Sequence, residues 1–128
     1  MLNIIDVFSG AGGLTEGFRY STQFKFICHV EMDKAACASL GLRNIYYYLK
    51  KINNLSPYFE YIQGKISKEK LYSIVPNEIT SDILSLEISE STISSIFDFI
   101  DNRLGAKALD GIIGGPPCQA YSIIGRAN

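Results

Sequence analysis

Leu2-Asn3-Ile4-Ile5-Asp6-Val7-Phe8-Ser9-Gly10-Ala11-Gly12-Gly13-Leu14 decides the fold. Leu2 to Phe8 is a short apolar run that breaks into a glycine turn, the pattern of a buried strand entering a tight loop. Leu14 and Phe18 then share a helical face, predicting a helix over Leu14 to Tyr20. Phe24 to Val30 reads as a second strand, with Glu31 and Asp33 at its C-terminal end, and Lys34 to Leu40 as a helix of small residues. Strand, glycine turn, helix, strand and acid, in that order, open a parallel α/β sheet.

Further along, Ile93, Ile96, Phe97, Ile100 and Leu104 form an apolar stripe, so a helix is expected over Thr92 to Leu104, capped by Ser89 or Ser91. Leu109 to Gly114 is apolar on both faces, as a central parallel strand is. Gly115-Pro116-Pro117-Cys118-Gln119 leaves its end. Residues 42–80 break this rhythm. They hold seven of the fifteen aromatic residues and a local charge of +3, and read as an insertion of one or two helices.

Composition narrows the function classes. A chain of 128 residues suits one domain. With 47% hydrophobic and 20% charged residues it can build a core, which excludes a disordered chain. The net charge of −1 gives no global basic field, so a nucleic-acid role has to come from a local site or from protein outside these residues. No apolar run reaches membrane-spanning length, and Asp6 interrupts the stretch where a signal peptide would continue, so the chain is expected to be cytoplasmic. Cys28, Cys37 and Cys118 form no CxxC pair, and one histidine, His29, completes no metal cluster, so no metal is expected. Cys28 and His29 are strand neighbours that point to opposite faces, which makes them structural. Tyr46-Tyr47-Tyr48 with Lys50-Lys51 reads as a helix with a packed side and a solvated side.

Two segments carry chemistry. The glycine turn lets backbone approach a ligand and presents amides at the next helix. Gly10 and Gly12 fit a dinucleotide turn, but Thr15 stands where its third glycine belongs. Glu31, at the end of the next strand, can accept from both hydroxyls of a ribose. Together they indicate an adenosine-containing cofactor without specifying which. The second segment is the rigid Pro116-Pro117 turn, which holds the Cys118 thiol at the sheet edge where open α/β sheets bind ligands, a setting for a nucleophile.

Asp6 to Leu14, then Glu31-Met32-Asp33, then Gly115-Pro116-Pro117-Cys118-Gln119-Ala120-Tyr121-Ser122 with Gly125-Arg126, resemble in order and spacing the first motifs of the cytosine-5 DNA methyltransferases of restriction–modification systems. The resemblance implies a Rossmann-like S-adenosylmethionine-dependent fold, of which these residues are the first half of the sheet, and a methyl transfer to carbon 5 of cytosine in double-stranded DNA. It implies that Phe8, Ser9, Gly10, Ala11, Gly12, Gly13, Glu31, Met32, Asp82, Ile83 and Pro117 hold the cofactor. Asp82-Ile83 is there the match for the acid that contacts the adenine amino group. It makes Cys118 the nucleophile at carbon 6, and Gln119, Ser122 and Arg126 part of the loop that meets DNA. The target-recognition domain and a later catalytic glutamate of that family have no counterpart within these 128 residues. The chain alone is therefore expected to bind cofactor weakly at best and to transfer no methyl group. The same chemistry on transfer RNA, and a non-catalytic cofactor-binding half that needs a second chain, are the competing expectations. A nucleotide-dependent oxidoreductase is disfavoured by Thr15 and by the Pro-Pro-Cys-Gln turn.

Overall fold

The computed structural model describes residues 1–117. Four strands, β1 (Leu2–Val7), β2 (Phe24–Glu31), β3 (Ile83–Ser85) and β4 (Gly111–Gly114), form one sheet in the order β3-β2-β1-β4. Every neighbouring pair is parallel. The strand order reverses between β1 and β4, so a crevice opens there at the C-terminal edge, as in Rossmann-like sheets.

Each face is covered by helix. On one side α5 (Ile93–Leu104) lays Ile96, Ile100 and Leu104 on Ile5, Cys28 and Val30, one continuous apolar core. The expected stripe is there, although Phe97 turns outward. Thr92, rather than Ser89 or Ser91, occupies the cap position and makes no side-chain cap bond. On the other side lie α1 (Gly13–Phe18) and α2 (Lys34–Lys51). Cys28 and His29 do point to opposite faces: Cys28 joins the α5 core, and His29 meets Thr15 of α1. Burial pushes the Cys28 thiol up to about 12, so it stays protonated.

Residues 42–80 are the crossover from β2 to β3. The helix expected to stop at Leu40 runs on to Lys51, capped at its start by the Asp33 carboxylate on the Ala35 and Ala36 amides. It is followed by α3 (Ser56–Ile62), α4 (Lys68–Ile74) and a single 3-10 turn at Asn77–Ile79. Ile45, Leu49, Leu71 and Val75 give this crossover a second small core, with the aromatic side chains of Tyr48, Tyr58, Tyr61 and Tyr72 packed around it. Four of the segment's seven aromatic residues are thus core material, while Phe59 is half exposed. Among the described residues, no helix is long and apolar enough to cross a membrane.

Helix α1 is six residues long and its Gly12 cap offers no side chain, so it depends on tertiary ties. Arg43 of α2 grips Glu16 with two bonds, Nε to Oε1 at 2.9 Å and a terminal nitrogen to Oε2 at 3.0 Å, and the Tyr47 hydroxyl donates to Oε2 at 2.7 Å. Arg43 holds the Glu16 carboxyl below its ordinary range, chiefly through these bonds. A carboxyl depressed by folding stabilises above its unfolded pKa, and that stability is lost as pH falls through the folded value. Glu16→Gln is therefore expected to cost about 1 kcal/mol at neutral pH, a modest figure because the pair is partly solvated. The cost should shrink as pH falls below the ordinary glutamate range and through the folded value, and chemical denaturation of both forms across an acid pH series reads the difference.

Candidate cofactor site

The C-terminal ends of all four strands converge on one cavity of about 410 Å³. Phe8 and Gly10 come from the end of β1, Glu31, Met32 and Asp33 from β2, Leu86, Glu87 and Ile88 from β3, and Gly115 and Pro117 from β4. The wall is thus largely apolar with three carboxylates, Glu31, Asp33 and Glu87, set into it, a composition suited to a heteroaromatic base and a diol.

Glu31 organises the turn. Its Oε1 accepts from the Gly10 amide at 3.0 Å and its Oε2 from the Asp33 amide at 2.8 Å. Each oxygen keeps a second lone pair for a ligand hydroxyl. The turn is closed by Gly12 N–H to Ser9 O at 3.0 Å and Ser9 N–H to Val30 O at 3.2 Å. Gly12 sits at φ +92°, where an L side chain is strained, so this turn requires glycine. Phe8 adopts φ +53° and is 38% exposed at the cavity wall. A left-handed aromatic with a half-open ring is a strained conformation of the kind that gathers at ligand sites.

The expected cofactor residues separate into three groups. Phe8, Gly10, Glu31, Met32 and Pro117 meet in this cavity. Ser9 is buried and turns its hydroxyl to the Asp6 carbonyl oxygen at 2.7 Å, and Ala11, Gly12 and Gly13 face a separate cleft with Ser39, Arg43 and Tyr58. Asp82 and Ile83 are elsewhere, and here the sequence expectation is corrected. Asp82 precedes β3 at the opposite end of the strand, where its carboxylate takes a bond from Asn44 at 3.0 Å and lies 3.3 Å from His29 Nδ1. The acid at the cavity end of β3 is Glu87, between Leu86 and Ile88. The signal that finds it is Glu87-Ile88-Ser89, an acid directly after the strand and closer in sequence to the Gly115 turn. Cys118, Gln119, Ser122 and Arg126 lie outside the described residues.

A parallel sheet with its strand order reversed at β1, a glycine turn in the reversal and a carboxylate on the neighbouring strand define a Rossmann-like methyltransferase fold covering part of the domain. The comparisons with known proteins agree. Type II methyltransferase M.Bpa9945I of Bacillus paralicheniformis is 34% identical across 97% of this chain and 32% of its own length. M.DdeI of Desulfomicrobium norvegicum is 29% identical across 98% of the chain and 20% of its own length, and M.AquIA of Picosynechococcus sp. is 28% identical across 96% and 35%. The chain is related to the type II methyltransferases over nearly its whole length, and it spans about a third or less of these three curated relatives. No family model matches it. No solved structure matches it.

Proposed function

We propose that this chain is the cofactor-binding part of a cytosine-5 DNA methyltransferase of a restriction–modification system, using S-adenosylmethionine in the cytoplasm on double-stranded DNA. The observation that carries the reading is the cavity at the strand reversal, where Glu31 stands braced by two backbone amides with a lone pair left on each oxygen. In this reading Glu31 accepts from the ribose hydroxyls, Phe8 and Met32 flank the adenine, and Glu87 accepts from its amino group. The cofactor supplies an electrophilic methyl on a sulfonium. Cys118 adds its sulfur to carbon 6 of a flipped cytosine, which makes carbon 5 nucleophilic enough to take that methyl. Loss of the carbon 5 proton then expels the Cys118 sulfur and restores the ring. Gln119, Ser122 and Arg126 belong to the loop that contacts DNA.

The relatives' names support methylation in general, and the Pro116-Pro117-Cys118-Gln119 motif supports the cytosine-5 chemistry. Calorimetric titration with S-adenosylhomocysteine should give saturable binding, and titration with NAD none. A duplex carrying 5-fluorocytosine should form a covalent adduct with the protein, together with any second chain that supplies the remaining motifs, and Cys118→Ser should abolish it. Binding of NAD in preference to S-adenosylhomocysteine would overturn the reading.

A further inference from the structure

Behind the glycine turn lies a buried polar chain that the proposed chemistry does not use. Thr15, the residue standing where a dinucleotide turn has its third glycine, is fully buried. Its Oγ1 lies 2.6 Å from Asp6 Oδ2 and 3.1 Å from His29 Nε2. Asp6 is fully buried and His29 is 1% exposed. On the far side of the imidazole, Nδ1 lies 3.3 Å from Asp82 Oδ2, off the axis of an aligned hydrogen bond, and has no other hydrogen-bond partner. The chain joins β1, α1, β2 and the residue that leads into β3.

Counting protons decides its behaviour. One hydroxyl proton cannot serve both Asp6 and Nε2, so one of those two must carry a proton of its own. If a neutral imidazole keeps its proton on Nε2, Nδ1 turns a bare lone pair to the Asp82 carboxylate, a repulsive contact in a dry interior. Every link is satisfied only with one proton more than two carboxylates and a neutral imidazole hold. That proton sits on the imidazole, on Asp6 or on Asp82, and these forms interconvert by a shift along the chain. Asp6 Oδ1 is buried without a partner, which suits a carboxyl better than a carboxylate, and burial raises the Asp6 pKa.

We infer that Asp6, Thr15, His29 and Asp82 form a buried proton relay that positions the glycine turn, and that the relay needs one shared proton to do so. Thr15 and His29 are then positioning residues, because they touch no ligand and act through the turn. The consequence for cofactor affinity rests on the proposed function; the relay itself does not. Other charges around the imidazole are few. Arg19 reaches the chain through Asn44, while Lys51, Glu78 and Arg103 line the cleft of about 520 Å³ on its outer side with Tyr47. Glu31 acts on Asp6 from the turn.

The sign follows. As pH rises the shared proton leaves, one link becomes acceptor against acceptor, and the tie from Asp6 through Thr15 loosens. Backbone amide exchange at Gly10–Gly13, corrected for its intrinsic pH dependence, should therefore quicken with pH. Affinity for S-adenosylhomocysteine should fall by up to about tenfold per pH unit above the relay's midpoint, the limit for one proton. Asp82→Asn supplies an amide proton to Nδ1 and keeps an oxygen for Asn44, so it completes the chain without the shared proton. Its exchange and affinity should stay flat with pH, at the wild type's low-pH values. Thr15→Val severs the chain and should exchange fast at every pH. An identical pH profile in wild type and Asp82→Asn would overturn the relay. If Asp82→Asn does not fold, the wild-type imidazole nitrogen resonances decide. Their titration must share its midpoint with turn exchange, and separate midpoints refute the inference. If S-adenosylhomocysteine binds no form of the protein, the cofactor reading fails while exchange still judges the relay.

Discussion

Gly114→Ala should lower the thermal midpoint of the chain by about 10 °C. A Cβ built on Gly114 would stand 2.5 Å from the Val7 carbonyl oxygen and 2.8 Å from Val7 Cγ2. Val7 is the residue with which Gly114 is registered in the β1–β4 pair. The obstacle is backbone, so relief has to come from moving one strand against the other at the very point where the cavity opens. Overpacking of this kind costs about 3 kcal/mol, and for a domain of this size each kcal/mol shifts the midpoint by about 3–5 °C. Gly115, one residue on, provides the control. A Cβ there meets nothing within 4 Å, so Gly115→Ala should change stability by less than about 0.5 kcal/mol. Equal midpoints for the two variants, measured by circular dichroism, would contradict the close approach of β4 to β1.

The same contrast explains what was legible in the sequence. The opening strand, its glycine turn, β2 and Glu31 could be read because each is dictated locally: an apolar run, residues that tolerate φ > 0, and an acid directly after a strand. The end of α2 could not. Gly41, the residue after the expected end, lies mid-helix, where a Cβ would stand 2.7 Å from the Tyr72 hydroxyl of α4. Leu40, Asn44, Ile45 and Leu49 carry the helix past it on buried contacts. Tertiary packing overrides the local propensity, and only the fold reveals the partner.

The Asp82 expectation failed for a related reason. β3 is three residues long with an exposed Ser85, too short to announce itself by alternation. Without the strand, only the letters of the sequence place the motif. Pairing of Val30 with Leu84 and of Glu31 with Ser85 sets where the strand ends, and so puts Glu87 and Ile88, not Asp82 and Ile83, beside the cavity. Likewise the relay joins residues far apart in sequence, Asp6, Thr15, His29 and Asp82, whose proximity exists only after β1, β2 and the start of β3 are side by side.

Glu31→Ala should weaken S-adenosylhomocysteine binding by about 100-fold. Two effects act together. On the proposed reading the ligand loses its charged acceptors for the ribose hydroxyls, and hydrogen bonds to a charged group are worth about 1.5–3 kcal/mol, or roughly 10- to 100-fold. The Gly10 and Asp33 amides also lose the carboxylate that accepts them at 3.0 and 2.8 Å, so the turn no longer holds its shape before the ligand arrives. Glu31→Gln separates these effects. Its amide oxygen can still accept from one backbone amide, so much of the turn remains while the charge and one acceptor are gone, and the expected loss is about 10-fold. Amide exchange at Gly10 should therefore rank wild type, Glu31→Gln and Glu31→Ala in increasing rate, in step with calorimetric affinity. If Glu31→Ala binds as tightly as the wild type, neither the ribose contact nor the bracing of the turn supports binding, and both assignments are wrong. If affinity falls in both variants while Gly10 exchange stays unchanged, the contact is direct and the bracing of the turn is what has been misjudged.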